Sequence, residues 1–162
     1  MDRRKEARRV GALFGQGIGD ALGVRDEFRP ASQIAKSDRN RLIYVASSRK
    51  GVPEFEAGDW SDDTEQAVCL LEAYIEDGGQ LVGTTVARRF QEWLAGDGRG
   101  CGSHTMLCLN DGPFALDPYA VSEAAWENSG RYTAANGAVM RCSVIGTLRP
   151  DDLDWTERVA AR

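Results

Sequence analysis

Trp60-Ser61-Asp62-Asp63-Thr64-Glu65-Gln66-Ala67-Val68-Cys69-Leu70-Leu71-Glu72-Ala73-Tyr74-Ile75-Glu76 is the stretch that decides the fold. From about Asp63 to Glu76 it carries Ala67, Leu71 and Tyr74 as one stripe, with Val68 and Ile75 beside it. That is the period of a helix with one apolar face. Ser61, Asp62 and Asp63 stand at its entrance, where side-chain oxygens satisfy free N–H groups and the helix dipole favours carboxylates. Gly78-Gly79 stops it.

Working outward, the same period recurs. Residues 3 to 22 read as a helix with Val10, Phe14, Ile18 and Ala21 on one face. Glycines 11, 15 and 19 fall every fourth residue, so they share a face too. Each costs about 1 kcal/mol against alanine, so packing or ligand approach requires them. Either tight helix–helix packing or a close ligand satisfies that requirement. Leu81 to Ala95 forms a third helix, with Val82, Val86, Phe90 and Trp93 on one side. Gly96 to Ser103 is a glycine-rich loop, and Met106 to Tyr119 is irregular, broken by Pro113 and Pro118. A short helix starts at Ser122. A fifth, from about Gly137 to Leu148, is apolar almost all round and expected to be central. The last opens at Asp154, where Asp154 and Glu157 form a capping box. Residues 24 to 60 read as a long loop holding one short strand, Arg41 to Ala46. Read this way, the chain holds six helices and one short strand.

Composition excludes several functions. With 162 residues the chain suits one domain. The pI is near 5.0, and three lysines stand against seventeen arginines, so nucleic-acid binding is not expected. No apolar run reaches the roughly 20 residues of a membrane span. No signal peptide is visible, so a cytoplasmic location is expected. The four cysteines match no disulfide framework and read as reduced, mostly buried thiols. A single histidine, His104, excludes any site needing several imidazole ligands.

Chemistry concentrates between Glu54 and Glu65, with six acids and no base. Capping explains one oxygen at a helix start. Adjacent carboxylates beside two hydroxyls also suit a hard cation, Mg²⁺ or Mn²⁺. Glu27 follows the first helix in Gly19-Asp20-Ala21-Leu22-Gly23-Val24-Arg25-Asp26-Glu27. Thr133-Ala134-Ala135-Asn136-Gly137-Ala138-Val139-Met140-Arg141 leads into the fifth helix. There Asn136 is a helix cap, or the small-residue loop is an anion site.

The strings G-D-A-L-G-x-x-x-E, W-S-D-D-T and A-N-G-A-V-M-R, in that order, resemble the ADP-ribosylglycohydrolase family, which includes the dinitrogenase-reductase-activating glycohydrolases. The resemblance runs from Gly11 to about Leu148. It implies a compact, orthogonal all-α bundle and a centre of two Mg²⁺ or Mn²⁺ ions. It implies hydrolysis of the glycosidic bond joining ADP-ribose to a protein side chain or small acceptor. On that resemblance Ser61, Asp62 and Asp63 match metal ligands, and Glu27, Asp62 and Asp63 the catalytic carboxylates. Gly102 and Ser103 match a loop lining the ADP-ribose pocket, and Thr133, Ala134, Ala135, Asn136 and Gly137 the segment holding the diphosphate and adjacent ribose. The family's second metal motif, D-x-D-T, is absent from these residues, and Val144 stands where proline is common. The expectation drawn from this is the N-terminal part of a longer domain, with little or no turnover alone and with uncovered apolar surface prone to self-association. A non-catalytic ADP-ribose or nucleotide binder is the alternative.

Three further features carry less. Cys101, His104 and Cys108 supply three zinc ligands where a structural site takes four. A thiol nucleophile paired with His104 lacks an orienting third group. The basic start, Arg3 to Arg9, has Asp2 and Glu6 nearby and reads as a solvated helix face.

Overall fold

The computed structural model describes residues 3–34, 43–49 and 52–161. Helices dominate: α1 (Arg3–Gly23), α2 (Asp62–Glu76), α3 (Gly83–Gly96), α4 (Ser103–Leu109), α5 (Pro118–Asn128), α6 (Ser143–Leu148) and α7 (Leu153–Ala160). A two-stranded antiparallel hairpin, β1 (Ser47–Arg49) and β2 (Val52–Phe55), precedes α2. Short 3₁₀ turns cover Ala31–Gln33, Gly112–Ala115 and Asn136–Ala138. The all-α expectation holds, with this hairpin as an ornament.

The core forms where α2, α3, α4, α6 and α7 meet. Ala67 and Leu70 of α2 pack with Ala87 and Phe90 of α3, Cys108 and Leu109 of α4, and Val144, Ile145 and Leu148 of α6. Phe114 and Trp155 close it, and the Tyr74 ring meets Trp155 edge-on at 6.0 Å. On α2 the buried positions 62, 66, 69, 70 and 73 form one helical face, so polar Asp62 and Gln66 enter the interior beside Leu70 and Ala73.

Several sequence expectations shift. Ile43 to Ala46 is not strand, and Arg41 and Leu42 lie outside the described residues. Pairing instead uses Ser47–Arg49 and Val52–Phe55. The fifth helix is shorter: Asn136–Ala138 is a 3₁₀ turn, Val139 is exposed, and α6 begins only at Ser143. Ser103–Leu109 is helical where a loop and an irregular stretch were expected. α5 starts four residues early, because Pro118 suits the first helical turn and Asp117 accepts from the Ala120 N–H. Asp152, not Asp154, caps α7 by accepting from the Trp155 N–H at 3.0 Å. On α1 only Ala21 is buried, while Val10, Phe14 and Ile18 face outward. All four cysteines are free; Cys69 and Cys108 are buried and Cys101 and Cys142 half-buried.

Candidate active-site cleft

The C-terminal half of α1 and the N-terminus of α2 meet through one side chain, Asp20. Its carboxylate accepts from the Ser61 N–H (2.9 Å), the Ser61 hydroxyl (2.8 Å), the Thr64 N–H (3.1 Å) and the Thr64 hydroxyl (2.6 Å). Four donors at a helix start are thereby satisfied by a charge from another helix, a stronger device than a local cap. Gln16, one turn earlier on α1, donates to the Asp63 carbonyl (2.8 Å) and the Met140 carbonyl (3.3 Å), and accepts from the Ser143 hydroxyl. Three segments distant in sequence are held together by these two polar residues. Neither Gln16 nor Asp20 is among the site residues expected from the sequence. Their signal was present: polar side chains four apart on a face otherwise made of glycine.

That face opens onto a cleft of about 560 Å³ lined by Gly15, Gly19, Gly23, Asp20, Glu27, Ser61, Asp63 and Asn136, with Gln16, Val24 and Asp26. A Cβ at Gly11, Gly15, Gly19 or Gly23 would meet nothing within 4 Å. The glycines therefore do not serve tight helix packing among the described residues. They keep one wall of an acidic cleft bare, and Phe28, just past Glu27, takes a left-handed φ of 58° that a bulky residue rarely adopts.

Asp62 and Asp63 diverge, because consecutive helical residues point about 100° apart. Asp63 lines the cleft, and its N–H donates to the Ser61 hydroxyl oxygen at 3.4 Å. Asp62 turns inward and is only 6% exposed. Gly100 leaves it room: with φ +86°, a Cβ there would stand 2.7 Å from Asp62 Oδ1. Burial, then the charges of Asp63, Glu27 and Asp20, push the Asp62 carboxyl up to about 7. Burial and the neighbouring Asp20 raise Asp63 as well.

Glu27, Ser61, Asp63 and Asn136 are thus brought together, and Asp62 stands behind them. Thr133, Ala134 and Ala135 line a second space, an interior cavity of about 320 Å³ with His104, Thr105, Cys108 and Arg141. The Gly137 backbone lies over Thr105, whose Oγ1 would be 2.7 Å from a Cβ there. Gly102 and Ser103 do not line either space; they are exposed at the start of α4, and the next two residues, His104 and Thr105, reach the cavity.

Ser61, Asp62 and Asp63 offer only oxygen donors, and their mutual repulsion is what a hard cation relieves. Yet among the described residues no three His, Cys, Asp or Glu side chains converge as a ready metal site. The donor chemistry fits one face of a Mg²⁺ or Mn²⁺ shell and no more. The same observation removes Cys101, His104 and Cys108 as a zinc site. Burial raises the Cys101 thiol to about 11 and raises Cys108 too, so neither is an activated nucleophile.

The class of this α-helical domain follows from its sequence. The sequence profile of the ADP-ribosylglycohydrolase family matches residues 1–162, and the chain belongs to that family. It is 30% identical over 152 residues to an uncharacterised protein, YegU, of Escherichia coli, covering 90% of this chain and 43% of that protein. It is 31% identical over 150 residues to the ADP-ribosylarginine hydrolase Tri1 of Serratia proteamaculans, covering 90% of this chain and 38% of that protein. It is 28% identical over 154 residues to the ADP-ribosyl-[dinitrogen reductase] glycohydrolase of Rhodospirillum rubrum, covering 91% and 47%. The chain spans less than half the length of these curated relatives. Among the described residues no helix is long and apolar enough to cross a membrane.

Proposed function

We propose that this chain serves metal-dependent hydrolysis of the glycosidic bond between ADP-ribose and a protein side chain or small acceptor. The observation that carries the reading is the cleft that unites Glu27, Ser61, Asp63 and Asn136 from three separate segments. Names of relatives support the substrate class: arginine-linked ADP-ribose for one, ADP-ribosylated dinitrogen reductase for another.

Ser61, Asp62 and Asp63 would hold one face of a Mg²⁺ or Mn²⁺ centre, which when bound polarises water and orients the ribose diol. The chain's own part is then to bind and to move protons. Asp20 holds the Ser61 hydroxyl by accepting its hydrogen bond, which leaves an oxygen lone pair to the Asp63 N–H. Glu27, another residue of the cleft lining, would accept the proton of an attacking water. The bare glycine wall would let a sugar approach the α1 backbone, and the loop from Thr133 to Gly137, of which Asn136 lines this cleft and Thr133 to Ala135 the neighbouring cavity, would hold the diphosphate.

A non-catalytic ADP-ribose binder is the second reading, favoured by the lack of three converging ligands among the described residues. Calorimetry with ADP-ribose, with Mn²⁺ or with EDTA, separates the two. The hydrolytic reading expects Mn²⁺-dependent binding and release of ADP-ribose from a modified arginine peptide, weak for this chain by itself. Both signals should vanish in Asp62→Ala/Asp63→Ala. Metal-independent binding with no release supports the binder, and unchanged behaviour of the double variant overturns the hydrolytic reading.

A further inference from the structure

α2 and α3 pack together and leave a groove of about 370 Å³ between them, which shares no lining residue with the acidic cleft or the interior cavity. Glu65, Val68 and Glu72 form a stripe of α2 along it, at helical spacing. Glu92 and Trp93 face it from α3, and Trp60, just before α2, completes the aromatic lining. The groove is open to solvent: Trp60 is 48% exposed and Val68 44%.

Two of its carboxylates already have cations. Glu72 pairs with Arg89 at 3.2 Å and Glu92 with Arg88 at 2.6 Å. Glu65 differs. It is half-buried, and its Oε2 accepts from the neutral Trp93 indole N–H. Among the described residues it forms no ion pair. Arg99 senses its charge but is bonded to Asp59 and Asp97. One indole N–H fills one of about four acceptor positions of a carboxylate, so charge and acceptor capacity both remain. The rings show the same want of a cation. Trp126 and Trp155 each carry a guanidinium over the ring, Arg131 at 5.1 Å and Arg149 at 4.6 Å. Phe55 and Phe90 carry Arg99 and Arg141 in the same way. Among the described residues the remaining two tryptophans, Trp60 and Trp93, carry none. Arg89, the groove's own guanidinium, is engaged by Glu72 and Glu76.

We propose that the groove between α2 and α3 docks an unmodified arginine side chain of a partner protein, its guanidinium stacked on an indole face and its N–H edge donating to Glu65. A guanidinium suits this lining better than an ammonium, because it is planar, less strongly hydrated, and can stack on a ring while its edge meets a carboxylate. Its aliphatic stem matches exposed Val68. The net charge of −5 draws a basic partner in. Free arginine fits less well, since its own carboxylate would meet Glu72 and Glu92. Trp60 adjoins Ser61, so a partner docked here lies beside the acidic cleft. The inference does not rest on hydrolysis: it concerns a side chain held outside that cleft, with neither metal nor ADP-ribose.

The test follows the indole N–H signals of the full chain by NMR, in EDTA at low, fixed ionic strength, during titration with the capped peptide acetyl-Gly-Arg-Gly-amide to about 10 mM. Saturable shifts are expected at Trp60 and Trp93, with Trp126 and Trp155 unmoved as internal references. The citrulline peptide, of the same shape without the charge, should cause none. The lysine peptide and free arginine should each bind several-fold more weakly. Glu65→Gln keeps an acceptor for the Trp93 indole and removes the charge, so affinity should fall roughly tenfold with the unfolding temperature nearly unchanged. Trp60→Leu should also weaken binding several-fold, and either variant decides if the other fails to fold. Absence of saturable shifts in the wild-type chain overturns the proposal. So does equal binding of the citrulline peptide, the lysine peptide or free arginine, or an affinity unmoved by the substitutions.

Discussion

The segment from Thr133 to Asn136 has two different neighbours. On one side Asn136 faces a cleft walled by Asp20, Asp26, Glu27 and Asp63, with bare glycines between them. On the other, Thr133 to Ala135 face a cavity whose one formal charge is Arg141. The two spaces are built by opposite means. The acidic side is held by charge-assisted bonds across helices, Asp20 to Ser61 and Thr64. The basic side is held by apolar packing, with Arg141 laid on Phe90. Carboxylates gathered without a base are suited to cations and sugar hydroxyls, whereas a buried guanidinium among hydroxyls is suited to anions. A ligand with a ribose and a phosphate would use both characters.

The sharpest way to break the acidic side is Asp20→Ala. It leaves four donors at the α2 start without their acceptor, and should cost about 3 kcal/mol or more of unfolding free energy in urea. Asp20→Asn keeps one accepting oxygen and should fall between. If Asp20→Ala is nearly neutral, the bridge between α1 and α2 does not hold the cleft.

Next in size is Gly100→Ala. Its φ of +86° disfavours a side chain, and a Cβ would press on Asp62 Oδ1. A loss of about 1–3 kcal/mol is expected. A control at Gly102, where a Cβ meets nothing, should show a much smaller change.

Asp62→Asn tests the electrostatics. The folded state holds the Asp62 carboxyl at about 7, above its value of 3.8 when unperturbed. A raised carboxyl favours folding most below the unperturbed value, and that contribution is lost as pH rises through 7. The asparagine variant should therefore melt a few degrees higher than wild type at pH 8 and nearly the same at pH 4. Equal melting at both values would mean that neither the burial of Asp62 nor its repulsion by Asp63, Glu27 and Asp20 is felt.

The smallest effect is expected far from both spaces. Val10 and Phe14 are exposed on α1, so Val10→Ser should change stability by less than about 0.5 kcal/mol. A larger loss would show that this face is covered in solution, and sedimentation would identify self-association as the cause.

Much of this was legible in the residues. α2 and α3 fell close to their expected bounds, because each has an apolar stripe and clear end signals. Glu27, Ser61, Asp63 and Asn136 do meet in one cleft. The misses have physical reasons. Val10, Phe14 and Ile18 keep helical period, but period shows only that residues share a face, not that the face is covered. The stretch before Ser143 is apolar yet begins with Asn136 and Gly137, which favour a turn over a regular helix. Asp62 and Asp63 look like a pair in sequence and diverge in space because a helix rotates between them. Asp20 and Arg141 owe their importance to partners 41 or more positions away, Ser61 and Thr64 for one and Gln66 for the other, which no local pattern encodes.

The most direct test of the central claim is titration of the chain with ADP-ribose in the presence and absence of Mn²⁺, repeated on Asp62→Ala/Asp63→Ala. The account predicts that Mn²⁺ strengthens ADP-ribose binding to the wild-type chain and has no effect on a folded double variant. Equal ADP-ribose binding by both proteins, whether or not Mn²⁺ is present, would contradict it.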